Sequence, residues 1–72
     1  MAIPPVRLKF ARRLKQLRKK KGFTAQEAAR RCKMHLREYQ RLESKKPPSL
    51  RFDTIGRIVK ALRISWRQLF WF

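Results

Sequence analysis

Thr24-Ala25-Gln26-Glu27 is a helix start written into four residues, and it limits what this chain can become more than any other stretch. A threonine followed three places on by a glutamate forms a capping box. The hydroxyl accepts from the Glu27 backbone N–H, and the carboxylate reaches back to the Thr24 N–H. Ala28, Ala29 and Cys32 then make a small apolar face that lets a second helix approach closely. Lys33 and Met34 break the pattern, and Leu36, Tyr39 and Leu42 resume it at helical spacing. The stretch predicts two short helices back to back, the second from about His35 to Ser44.

The flanks carry the same period. Pro4 and Pro5 suit the first turn of a helix. Val6, Phe10, Leu14 and Leu17 mark one face of a helix over about residues 6 to 20, which Gly22 stops. After the turn-forming Lys45-Lys46-Pro47-Pro48-Ser49, the run DTIGRIVKAL gives a fourth helix, with Asp53 as its cap and Ile55, Ile58, Val59 and Leu62 inward. Ser65-Trp66-Arg67-Gln68 repeats the capping-box pattern and opens a last short helix carrying Trp66, Leu69 and Phe70. No run alternates with a period of two for long enough to make a strand. The expected class is all-α: five short helices around one core, a single domain over residues 1–72. The tryptophans and phenylalanines are expected mostly in that core. The terminal LFWF is too apolar to be left in water. It either folds back on helix 1 or joins two copies through Trp71 and Phe72.

Charge narrows the function. The chain holds 21 Lys and Arg against 4 Asp and Glu, a net charge of +17. Such an excess repels itself and is drawn to a polyanion. Nucleic acid comes first and an acidic membrane second. No apolar run approaches the length that spans a bilayer. The N-terminal segment is arginine-rich and acid-free like a transit peptide, but it lacks serine, and its apolar positions run on into the helix pattern. A secretory signal is not expected, because no apolar h-region is present.

The acids argue against an enzyme. Glu27 and Asp53 are expected at caps, and Glu38 falls in the first turn of helix 3, where the helix dipole favours an anion. No pair is left for acid–base work. Cys32 and His35 stand three apart, but a zinc site needs three or four ligands and the sequence has no other Cys or His. Cys32 reads as a small core residue, with no partner for an internal disulfide. We expect no catalytic residue, no metal, no cofactor and no small-molecule substrate.

From residue 10 to about residue 70 the chain resembles the Cro/CI-type (XRE-like) helix-turn-helix family of phage repressors and bacterial transcriptional regulators. The resemblance rests on Ala29 at the close contact of the two helices, on Ala28, Cys32, Met34, Tyr39 and Leu42 at the family's apolar places, and on Glu43 ending the third helix before a basic, proline-containing loop. Arg18 late in helix 1 and the closing IVKALRISWRQLF add to it. Two positions depart from the pattern. Lys33 stands where the family prefers a glycine, and Ala25 stands where it often has a phosphate-touching glutamine. The resemblance implies a compact, lambda-repressor-like fold with the helix-turn-helix at about 24–44, and a structural ion pair between Arg18 and Glu43.

It also implies a mechanism: the second helix braces across the DNA backbone and the third lies in the major groove. The outward positions of helix 3 are then the base-contacting candidates: His35, Leu36, Arg37, Gln40 and Arg41. Arg37 and Arg41 lie four apart on one face, and either suits a bidentate contact to guanine, while Gln40 suits adenine and Leu36 a thymine methyl. Arg12, Arg13, Thr24, Gln26, Lys45, Lys46 and Arg51 are the phosphate-contacting candidates. The expected function is sequence-specific binding of double-stranded DNA by a repressor-like regulator, cytoplasmic, bacterial or phage-encoded. An antitoxin or a restriction-system controller protein shares the same body. A dimer would place its third helices about 34–36 Å apart, one DNA turn. Two rivals come from other classes. A cationic helix 1 suits a membrane surface, and basic helices suit RNA, although the sequence suggests no exposed aromatic platform for single strands.

Overall fold

The computed structural model describes residues 5–71. Pro4 and Phe72 lie outside them. Five helices follow in order: α1 (Pro5–Lys20), α2 (Ala25–Arg31), α3 (Leu36–Leu42), α4 (Phe52–Leu62) and α5 (Trp66–Leu69). No strand occurs among the described residues. α2 packs on α3 and on α4, and α1 packs on α5.

Both capping boxes form. Thr24 Oγ1 accepts from the Glu27 N–H at 3.1 Å, and Glu27 Oε1 accepts from the Thr24 N–H at 3.2 Å. The matching distances at Ser65 and Gln68 are 3.0 and 2.9 Å. The hydrogen bond from the Thr24 backbone holds the Glu27 carboxyl below its ordinary value of 4.5. The cap therefore contributes fully above that value and is lost as pH falls through the depressed one.

Three helices stop in the same way. After α1, the Gly22 N–H reaches Lys19 O and the Phe23 N–H reaches Arg18 O. After α2, the Lys33 N–H reaches Arg30 O and the Met34 N–H reaches Ala29 O. After α4, the Ile64 N–H reaches Val59 O. This termination puts one residue in the left-handed region: Gly22 at φ 82°, Lys33 at 56° and Arg63 at 54°. Only glycine adopts it without a Cβ penalty. Lys33→Gly is therefore expected to stabilise the chain by about 1 kcal/mol. An unchanged denaturant midpoint would mean that the Lys33 side chain compensates within the turn.

The core is built from the predicted faces. Phe10, Leu14 and Leu17 of α1, Ala28 and Ala29 of α2 with Cys32, Tyr39 and Leu42 of α3, Ile55, Ile58 and Leu62 of α4, and Ile64 and Leu69 are all buried. The two alanines admit α3 and α4 against α2 because they fill almost no space between the axes. Each buried large side chain contributes about 1.5–3 kcal/mol.

Three expectations fail. Asp53 does not cap α4. Arg51 is the N-cap, in extended backbone at φ −118° and ψ 137°, with no side-chain cap hydrogen bond. The helix starts at Phe52, so Asp53 falls inside its first turn, where the dipole still favours its charge. Val6 continues the α1 spacing but is exposed. The aromatic residues are not mostly core either. Phe10 is fully buried and Phe23 and Phe70 are partly so, but Phe52, Trp66 and Trp71 stand in solvent.

Candidate nucleic-acid interface

The face of α3 away from the core is set by Tyr39 and Leu42, which turn inward three residues apart. That leaves His35, Leu36, Arg37, Gln40 and Arg41 exposed on the other sides. The guanidinium groups of Arg37 and Arg41 have no hydrogen-bond or ion-pair partner among the described residues. His35 is the N-cap of α3, with extended backbone and no cap hydrogen bond from its side chain. Its imidazole is thus exposed at the leading end of the helix.

The trailing end of α3 is anchored from inside. Arg18 Nε and Nη2 donate to the two carboxylate oxygens of Glu43 at 2.8 and 3.0 Å, and Arg18 Nη1 donates to Phe23 O at 2.8 Å. One guanidinium thus links α1, the α1–α2 turn and the C-cap of α3. The bond to Glu43 raises the Arg18 pKa further above its already high value, so the cation never titrates in the working range. The Tyr39 hydroxyl is buried beside this pair without a hydrogen bond. Burial first, and the adjacent Glu43 carboxylate second, hold its proton far above the usual phenol range.

The phosphate-contacting candidates come from several elements and turns. Arg12, Thr24, Gln26, Lys45, Lys46 and Arg51 are exposed. Thr24 spends its hydroxyl oxygen on the α2 cap. The Ser44 hydroxyl donates to Arg41 O at 2.7 Å and accepts from the Lys46 N–H at 3.2 Å, which shapes the turn that presents Lys45 and Lys46. Arg13 is engaged elsewhere: its Nε donates to Gln68 O at 2.7 Å and ties α1 to α5. Trp71 is 72 % exposed; Phe72, its proposed partner in a dimer contact, lies outside the described residues.

Sequence reading missed one basic cluster. Arg31 at the end of α2 and Lys33 of the α2–α3 turn face Arg57 and Lys60 of α4 across a cleft of about 470 Å³ that no acid lines. Arg57 and Lys60 stand three apart on the outer side of α4, so the spacing was a readable signal.

Cys32 is buried at the back of the helix-turn-helix, and burial pushes its thiol up to about 11. The folded thiol stays protonated through neutral pH and is a poor nucleophile. A thiol reagent at neutral pH is expected to label it no faster than the chain unfolds; labelling at the rate of a free thiol would contradict the packing. Among the described residues no three of His, Cys, Asp and Glu come together, and no helix is long and apolar enough to cross a membrane.

A family model described as a helix-turn-helix domain matches residues 9–69. No curated protein and no solved structure matches. The matched span runs from within α1 to the end of α5, and so includes α2, the turn at Lys33, α3 and the Arg18–Glu43 anchor. The chain belongs to the helix-turn-helix domain family.

Proposed function

We propose that residues 1–72 form a sequence-specific double-stranded DNA-binding domain that acts as a repressor-like transcriptional regulator, with α3 in the major groove. One observation carries this reading. In a helix-turn-helix chain of charge +17, the outward face of α3 presents Arg37 and Arg41 exposed and unpartnered. Such a guanidinium can read guanine O6 and N7 together, with about 1–3 kcal/mol of discrimination per good pair. Gln40 reads adenine, Leu36 touches a thymine methyl, and His35 contacts the base edge at the front of the helix. Arg12, Thr24, Gln26, Lys45, Lys46 and Arg51 hold phosphates and fix the register. Regulation follows from occupancy: a protein seated on an operator excludes polymerase. The working place is on DNA in the cytoplasm of a bacterium or of a phage-infected cell.

The membrane-surface rival loses its main support in the packing of α1. The apolar face of that helix, Phe10, Leu14 and Leu17, is buried in the core and is not free to enter a bilayer interface. Family membership also favours a binding domain over an enzyme.

Enrichment of bound sites from random duplexes tests the reading. A consensus is expected, and Arg41→Ala should relax it at one position while leaving the others intact. Enrichment that returns no consensus sinks the sequence-specific reading.

A further inference from the structure

Four aromatic rings run from the core to the surface at one end of α4 and α5. Phe70 lies against the buried Phe10 with 5.6 Å between ring centroids. Trp66 stacks on Phe70 at 6.2 Å with 13° between planes, and Phe52 follows at 6.2 Å and 45°. Exposure climbs along the row, from 0 % at Phe10 to 42 % at Trp66 and 82 % at Phe52. A lone exposed aromatic needs no explanation. A row of rings anchored on the core and left wet at its outer end is a different object. Trp66 is also fixed from behind: it opens α5, whose start is closed by the Ser65–Gln68 capping box and whose Gln68 carbonyl is held by Arg13. Trp66, stacked on Phe70, has less rotamer freedom to lose on binding than a lone exposed ring.

Charge and area select the occupant. Arg51 precedes Phe52 and Arg67 follows Trp66, both exposed; Asp53 is the one acid beside the row. A second copy of the chain would bring another +17 to this surface. Phe52 and Trp66 together expose about 250 Å² of side chain, taking ~200 Å² for each whole aromatic. A stable dimer buries about 800 Å² per partner. A polyanion that carries flat apolar faces satisfies both the rings and the arginines. Duplex DNA hides its base faces in the stack, whereas a single strand offers them. We infer that the Phe52–Trp66 row is a stacking surface for single-stranded DNA, built by α4 and α5 rather than by α3. It contributes affinity without sequence preference, because every base has a face to stack.

The test uses the full chain with Trp71→Phe, which leaves Trp66 as the only tryptophan. The probe is a deoxythymidine strand of about 15 nucleotides, compared at one salt concentration with an abasic strand of equal length and charge. The expected result is quenched Trp66 emission and binding roughly tenfold or more tighter to the strand that has bases. Phe52→Ala should lose roughly tenfold on the deoxythymidine strand and nothing on the abasic strand or on duplex, and Phe52→Tyr should retain the binding. Because Phe52 is largely exposed, Phe52→Ala should keep the helical circular dichroism of the parent; if it does not, the comparison of the two strands on the parent chain still decides. Equal affinity for the two strands overturns the inference. So does a uridine strand bound tenfold tighter, or self-association that shifts Trp66 emission with no strand present. Loss of duplex specificity in Arg41→Ala with single-strand binding intact would keep this surface distinct from α3.

Discussion

Glu43→Ala lowers the melting temperature by at least about 12 °C or leaves the chain unfolded. The estimate rests on about 3–5 kcal/mol for removing one partner of a buried pair, and about 4–8 °C per kcal/mol in a domain of this size. The geometry puts the pair at the strong end. Arg18 is only 9 % exposed, and both carboxylate oxygens of Glu43 accept from it. Without Glu43 the guanidinium keeps its bond to Phe23 O but retains an uncompensated charge in a largely buried place. Three segments lose their common anchor at once, because α1, the α1–α2 turn and the end of α3 all meet at Arg18. A chain of 72 residues has little stability in reserve. Glu43→Gln should fall between the parent and Glu43→Ala, since it keeps an acceptor but not the charge. The double change Arg18→Met with Glu43→Leu should be less damaging than Glu43→Ala, because it leaves no orphan. Thermal melts of the four proteins by circular dichroism check the series. A Glu43→Ala melt indistinguishable from the parent would remove the pair from any structural role.

This anchor also shows how far the sequence could be read. Capping boxes are local, so Thr24–Glu27 and Ser65–Gln68 are legible from four residues each and form as expected. The inward faces of α2, α3 and α4 are legible for the same reason: helical spacing alone fixes which residues share a side. Arg18 and Glu43 lie 25 residues apart, and nothing but a family resemblance links them in the sequence. Arg13 and Gln68 lie 55 apart, so nothing local in the sequence shows that Arg13, read as a phosphate-contacting candidate, also holds α5. The α4 start was misplaced because the backbone leaving the proline turn, not the nearest acid, decides where helical geometry begins. Lys33 and Arg63 sit at positive φ although neither residue type advertises it. The aromatic row was missed because covering a ring depends on how the start of α4 meets α5, a packing outcome that composition does not encode. On α3, the outward set followed directly from the inward one: once Tyr39 and Leu42 face the core, Arg37 and Arg41 face out.

Affinity for duplex DNA falls about 250-fold when salt is raised fourfold, a log–log slope of about −4. Each phosphate neutralised by a cation releases condensed counterions and contributes about −0.9 to that slope. Arg12, Lys45, Lys46 and Arg51 are the exposed cations among the phosphate candidates; Arg13 is left out because Gln68 O already holds its Nε. Four such contacts give about −3.6, and any backbone contact from Arg37 or Arg41 takes the value past −4. The slope separates two kinds of residue that a single affinity would merge. Lys45→Ala or Lys46→Ala should make it shallower by about 1 and weaken every duplex alike. Arg41→Ala should leave the slope nearly unchanged if its guanidinium reads a base, and should cost about 1–3 kcal/mol on the preferred site only. If Arg41→Ala instead shifts the slope by the same amount as Lys46→Ala and costs all sequences equally, Arg41 is a phosphate contact and α3 reads bases through Arg37 and Gln40. A slope near zero for the parent chain would mean that its charge meets no phosphates at all, and the groove-binding role of α3 would go with it.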